Sequence, residues 1–265
     1  MKIQYILGVT SLLLTTQILA KDFDYKLSVA AVGMSMDYSE YSDNGELLDT
    51  EVSDLNGIMG LELKASYTRV DDIENSTEIG INFMILGGET QYTGSLIGSS
   101  EGYGSYLGVT TDTIRDIELE YRHNYKLNND FEFMYGVGFG HREWRRELSS
   151  TQVEIYSWYS LRPKIGINYK YNDFSLGALF EYQYGINPEM SLDIPGTYVV
   201  LDLGSADISK FSLPLKYKYS EEFNLFTEFV YEKKIIEKSN IAEGWQEPRS
   251  EAYNQYLKFG AEFKF

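Results

Sequence analysis

The segment Tyr253 to Phe265 separates into two registers. Tyr253, Gln255, Leu257, Phe259, Ala261, Phe263 and Phe265 form one, and Asn254, Tyr256, Lys258, Gly260, Glu262 and Lys264 form the other. A strand turns successive side chains to opposite faces, so this segment has one oily face and one polar, charged face. A helical period of 3.6 would mix the two sets.

The same alternation returns along the chain. Near residue 120, Ile117, Leu119, Tyr121 and Tyr125 oppose Asp116, Glu118, Glu120, Arg122 and Asn124. Further on, Leu161, Ile165, Ile167 and Tyr169 oppose Arg162, Lys164, Asn168 and Lys170, and Phe211, Leu213, Leu215 and Tyr217 oppose Lys210, Ser212, Lys216 and Lys218. A soluble barrel would bury the apolar register, leaving the outside ionic. The polar register here also carries glycines and paired charge signs that suit an enclosed, wet interior. Ionised groups are not buried unpaired. On a lipid face, each Lys or Arg would cost about 2–4 kcal/mol near the midplane. The inexpensive arrangement is polar inside and apolar towards lipid.

Ten segments carry the period: 25–38, 55–69, 77–92, 112–126, 131–146, 154–171, 174–186, 207–219, 224–238 and 252–265. Short connections (Val70–Ser76, Leu127–Asp130, Asn172–Asp173, Ser220–Phe223) alternate with longer ones (Ser39–Asp54, Thr93–Thr111, Glu147–Val153, Asn187–Ala206, Ser239–Glu251). Every segment exceeds the roughly 9–11 residues that a tilted strand needs to cross a bilayer. The expected fold is all-β, a transmembrane antiparallel up-and-down β-barrel of about ten strands, with eight and twelve left open.

Composition agrees. Met1 to Ala20 has Lys2 as its single charge and an apolar stretch from Ile6 to Leu14, the pattern of a secretory signal, so residues 1–20 are expected to be a signal peptide and 21–265 the barrel. There is no later run of about 18 apolar residues that would make a spanning helix. The chain has no cysteine, which excludes disulfides and thiolate metal sites. A net charge of −17 argues against nucleic acid as a partner. Tyrosine (23) and phenylalanine (14) are abundant, and pairs such as Tyr169/Tyr171, Tyr182/Tyr184 and Tyr217/Tyr219 fall at strand ends, where interfacial aromatic girdles sit.

With these features the chain resembles Gram-negative outer-membrane β-barrel proteins of the porin-like class. Its ending, with Leu257, Phe259, Phe263 and Phe265, is similar to the C-terminal signal such proteins present to the barrel-assembly machinery. The resemblance implies location in the outer membrane after export through the periplasm, and contact with outer-membrane lipid. It implies no cofactor and fixes no oligomeric state. Within the class, a ten-stranded barrel resembles omptin proteases and Opc-like adhesins. The omptin Asp–His and Asp–Asp pairs have no counterpart here: neither histidine has an aspartate at that spacing, and Asp71-Asp72 falls in an expected periplasmic turn.

The expected lumen holds both signs of charge: Asp116, Glu118, Glu120, Arg122, Arg142, Arg146, Arg162, Lys164, Glu181, Lys210, Lys216 and Glu228. Gly136, Gly138 and Gly140 face inward together, leaving room for a neighbouring lysine or arginine. Two roles follow for the charges. They pair and plug a small barrel, in which case the protein is structural, or a basic wall faces an acidic wall across a narrow pore for small polar solutes. An extracellular adhesin, binding through loops Thr93–Thr111 and Asn187–Ala206, is the alternative from another class. The acidic loop from Glu40 to Asp54 reads as solvated, without the ligand spacing of a calcium loop. His123 is expected at the periplasmic rim. His141, Glu143 and Ser157 are expected on the outer face, with Ser157 opposite Glu143, which supplies the groups of a nucleophilic hydrolase. Outer-membrane lipid A deacylases and phospholipases resemble this in placing a Ser–His site on the lipid face, but their His-x-Ser order is missing here.

Overall fold

A computed structural model describes residues 23–70, 75–95 and 102–265. The expected signal peptide and Asp71-Asp72 lie outside the described residues. The chain forms β1 (Phe23–Tyr41), β2 (Leu47–Val70), β3 (Asn75–Gly94), β4 (Tyr106–Lys126), β5 (Phe131–Ser149), β6 (Gln152–Tyr171), β7 (Phe174–Ile194), β8 (Thr197–Asp202), β9 (Ala206–Lys218), β10 (Phe223–Ile236) and β11 (Arg249–Lys264). All pairings are antiparallel. β11 closes onto β1, from Lys26 opposite Lys264 to Tyr41 opposite Arg249, so the sheet has no free edge there.

The expected ten strands are present as ten positions around a closed barrel. The eleventh segment arises because β8 and β9 share one position: β7 pairs with β8 from Glu189 to Ile194 and with β9 from Phe174 to Tyr184. At the end of the barrel where Tyr25 meets Phe265, the described turns are short. Asn172 takes φ of 52°, in the left-handed region that a two-residue hairpin turn requires and that asparagine tolerates.

The lipid belt follows the apolar register. Leu119, Phe139, Ile165, Leu176, Leu213 and Phe259 are all exposed on the outside. Tyr171, Phe174, Tyr217, Tyr219 and Phe265 are outward near the end with the short turns. At the other end the belt stops where charges take over the outward register: Arg115 pairs with Glu143 at 2.8 Å, and Lys233 lies 3.9 Å from Glu251.

Three expected loops are largely strand, among them Glu147–Val153, which β5 and β6 take up around a turn at Ser150 and Thr151. Residues 39–54 continue β1 and β2 around a tight turn, in which the Ser42 amide donates to the Glu46 carbonyl at 2.8 Å and the Gly45 amide donates to the Ser42 carbonyl at 2.9 Å. Residues 187–206 form the β7–β8 hairpin. The acidic loop is solvated only in part: Asp43, Glu46 and Asp54 are exposed, whereas Glu40, Asp49 and Glu51 face inward and are buried. The strands run on because their inward residues pack against side chains of other strands, which the local sequence does not reveal.

Candidate functional site

The barrel interior is stacked in layers. The half that holds the chain's Tyr25–Phe265 contact is ionic. A cavity of about 270 Å³ runs from Lys26, Glu78, Lys216 and Glu262 at that end to Met84, Val230 and Tyr256 at its ceiling. Eight carboxylates and eight cationic side chains line it. The Lys216 side chain is 39% exposed while that of Arg162 is 2% exposed, so water access falls from the Lys216 end inwards.

All twelve expected interior charges face inwards and pair. Arg142 Nε donates to Asp116 at 2.7 Å, and its Nη1 lies 3.2 Å from Glu232. Arg162 reaches Asp116 at 2.8 Å. Lys164 contacts Glu118 at 2.7 Å, Glu181 at 3.0 Å and also Glu120, which Arg122 and Lys64 bind at 2.5 and 3.1 Å. Lys210 lies 3.7 Å from Glu181, Lys216 pairs with Glu262 at 2.8 Å, and Glu228 pairs with Lys258 at 3.1 Å. Arg146 binds Glu40, Glu51 and Glu154.

Arg142 of β5 reaches Glu232 of β10 across the lumen. The bases of β5 and β6 also lie beside the acids of β4 and pair with them laterally. Glycine permits this. A Cβ on Gly140 would collide with the Arg162 guanidinium, and one on Gly138 with the Glu118 carboxylate. β6 cations therefore lie flat across β5 to reach β4, as the inward glycine row suggested.

Above the ionic half is an apolar seal. Trp144 and Trp158 are buried with Met34, Met36, Ile58, Leu86 and Ile114, joined by Met190, Leu192, Val199 and Leu201 of the β7–β8 hairpin. Trp144 stacks on Tyr156 with ring centres 5.0 Å apart and meets Tyr38 edge-on at 5.2 Å. The all-polar interior expected from alternation fails at this level, because residues beyond the belt can be apolar inside and still form a core.

Beyond the seal, past the outward Arg115–Glu143 and Lys233 boundary, Arg146 is enclosed. Its guanidinium lies 2.9 Å from Glu40, 2.9 Å from Glu51 and 2.8 Å from Glu154, and 4.5 Å from the Tyr38 ring centre. Thr110 donates to Glu51 at 2.8 Å, Trp144 Nε1 to Asp112 at 2.8 Å, and Tyr156 to Glu247. Burial raises Asp112 to about 7, aided by Glu51, and holds Glu247 well above the usual carboxylate range, aided by Glu40. Sequence reasoning missed Glu40, Asp112, Glu154 and Glu247 as interior groups. The signal was the inward register continuing from Met34 and Met36 through Tyr38 to Glu40.

On the outer surface, His141 is opposite Tyr159 and Glu143 opposite Ser157, as expected. His141 Nε2 lies 3.1 Å from Ser157 Oγ. Glu143 is held by Arg115 at 2.8 Å. His123 Nδ1 lies 3.3 Å from Thr77 Oγ1 and its ring 5.2 Å from Tyr135, an interfacial contact.

No family model and no curated protein matches the chain. Among solved structures, the outer membrane protease OmpT from Escherichia coli superposes with a TM-score of 0.58 at 12% identity, covering 93% of this chain and 98% of that one. The translocator domain of the autotransporter NalP from Neisseria meningitidis gives 0.44 at 8% identity, covering 99% and 96%. The Pseudomonas putida toluene transporter TodX gives 0.37 at 10% identity, covering 94% and 91%. At these identities, what is shared with OmpT is architecture rather than chemistry. The chain has the closed, ten-stranded antiparallel fold of outer-membrane β-barrels.

Proposed function

We propose that the mature chain, after loss of residues 1–20, is an integral outer-membrane barrel with a closed lumen, whose role is structural rather than conductive in the state described. It is exported through the periplasm, recognised by the barrel-assembly machinery and bounded by outer-membrane lipid. The observation that carries this reading is the apolar layer at Trp144 and Trp158, fully buried between the ionic cavity and the Arg146 cluster. A pore for small polar solutes needs a continuous wet path, and this layer interrupts it. The balanced, mutually paired charges below act as a plug that sets the register. Planar-bilayer recording of the folded barrel at pH 6 is expected to be silent, and Trp144→Ala with Trp158→Ala to produce openings. Steady wild-type conductance, altered by Arg162→Glu or Lys216→Glu, would establish the narrow pore instead.

A second reading rests on the outward pair. The 3.1 Å contact between His141 and Ser157 at the outer edge of the belt supports an outer-leaflet lipid hydrolase. Glu143 would have to leave Arg115 to orient the imidazole. Fatty-acid release from lipid that disappears in Ser157→Ala supports it, and absence of release removes it.

A further inference from the structure

The two ionic layers differ in composition. The cavity below the seal is balanced, eight against eight. The layer above the seal is not. Glu40, Asp49, Glu51, Asp112, Glu154 and Glu247 are each at most 8% exposed, and they share Arg146 and Lys234. Arg146 holds three of the six. Lys234 lies instead over the Trp144 ring, 3.3 Å from its centre. Asp49 stands opposite Glu40 in the β1–β2 ladder, and its Oδ1 is buried without a hydrogen-bond partner. Among the described residues there is no group of carboxylates arranged to hold a metal ion. Protons are then what can neutralise the excess.

Resting on the closed-lumen reading, we propose that this layer is a proton-held latch on the extracellular end: Asp49, Asp112, Glu154 and Glu247 stay packed while they hold protons and repel their neighbours once these are lost, so alkaline surroundings loosen the seal. The titratable groups around the layer come from several strands, while β11 presents Ser250 and Ala252, which do not titrate. β1 supplies Tyr38 and Glu40, β2 Asp49 and Glu51, β3 Tyr92, and β4 Asp112. β5 supplies Arg146, β6 Glu154 and Tyr156, β10 Lys234, and the β10–β11 connection Glu247. β7, β8 and β9 present Met190, Leu192, Val199, Leu201, Ala206 and Ile208, which do not titrate. Burial lowers Lys234 to about 7, close to the value to which Asp112 is raised, so the cluster loses a cation and gains an anion over the same range.

The latch touches the seal directly: Trp144 donates to Asp112, and Tyr156 joins Arg146, Glu247 and the Trp144 ring. Acrylamide quenching of tryptophan fluorescence in the folded, reconstituted barrel reads it. In a Trp245→Phe background, the signal comes from Trp144 and Trp158. The quenching constant is expected to rise at least twofold between pH 6 and pH 9, and the rise to be lost in Asp112→Asn with Glu247→Gln. Where that pair fails to give a folded, heat-modifiable band, Asp49→Asn is expected to reduce the rise. Equal quenching at pH 6 and 9, or an undiminished rise in the folded variant, overturns the latch. Conductance at pH 6 would count against the closed lumen, a separate outcome.

Discussion

Arg162 on β6 lies across Gly140 of β5 and binds Asp116 on β4 at 2.8 Å, spanning a strand that contributes no side chain between them. The arrangement ties three strands with one ion pair. It makes the position of a glycine as important as the charges that it separates.

Gly140→Val places a branched side chain where the guanidinium lies. Overpacking of this kind costs about 1–3 kcal/mol. The urea midpoint of the folded barrel in lipid is expected to fall accordingly, whereas Gly102→Val, at an exposed position with open space around its Cα, leaves it unchanged.

Arg142 is buried between Asp116 and Glu232. Removing one partner of a buried pair leaves the other charge uncompensated, a loss of about 3–5 kcal/mol. Arg142→Met is expected to destabilise by about that amount. Adding Glu232→Gln recovers part of it, which a double-mutant cycle of unfolding free energies checks.

Leu119 and Leu213 face outward in the middle of the belt. Arginine at either position is expected to cost about 2–4 kcal/mol. Spin labels at Leu213 and Phe259 should report an acyl-chain environment, and a water-like signal at both would place the belt elsewhere.

Stability should fall as pH rises from about 4 to about 7. Asp112 is raised to about 7 in the folded barrel, so its protonated form favours folding. That contribution is complete below the unfolded carboxylate value near 4 and is lost as pH rises through about 7. Lys234, lowered to about 7, acts in the opposite direction above that pH. Thermal unfolding is expected at a higher temperature at pH 5 than at pH 7, with a flatter profile over that range in Asp112→Asn.

The period-two alternation was legible residue by residue, and with it the ten strand positions, the outward belt and the inward face of every expected interior charge. The pairing of Glu143 with Ser157 was legible too, because antiparallel pairing about a centre near Ser150 sets their register. The strand ends at Tyr38–Glu40 and Asp49–Glu51 were not. Their acids read as a solvated loop, because the arginine that neutralises them lies on β5, far away in sequence.

By itself the amino-acid order determined which side of each strand meets lipid, since that depends only on neighbours two residues apart and on the free energy of placing charge in hydrocarbon. Closure decided the rest. Once β11 met β1, stagger between strands set which inward groups shared a level. At one level acids met bases over glycine, at the next tryptophans met methionines, and above them six carboxylates met one enclosed guanidinium. Contacts of that kind form between residues remote along the chain, and no local period encodes them.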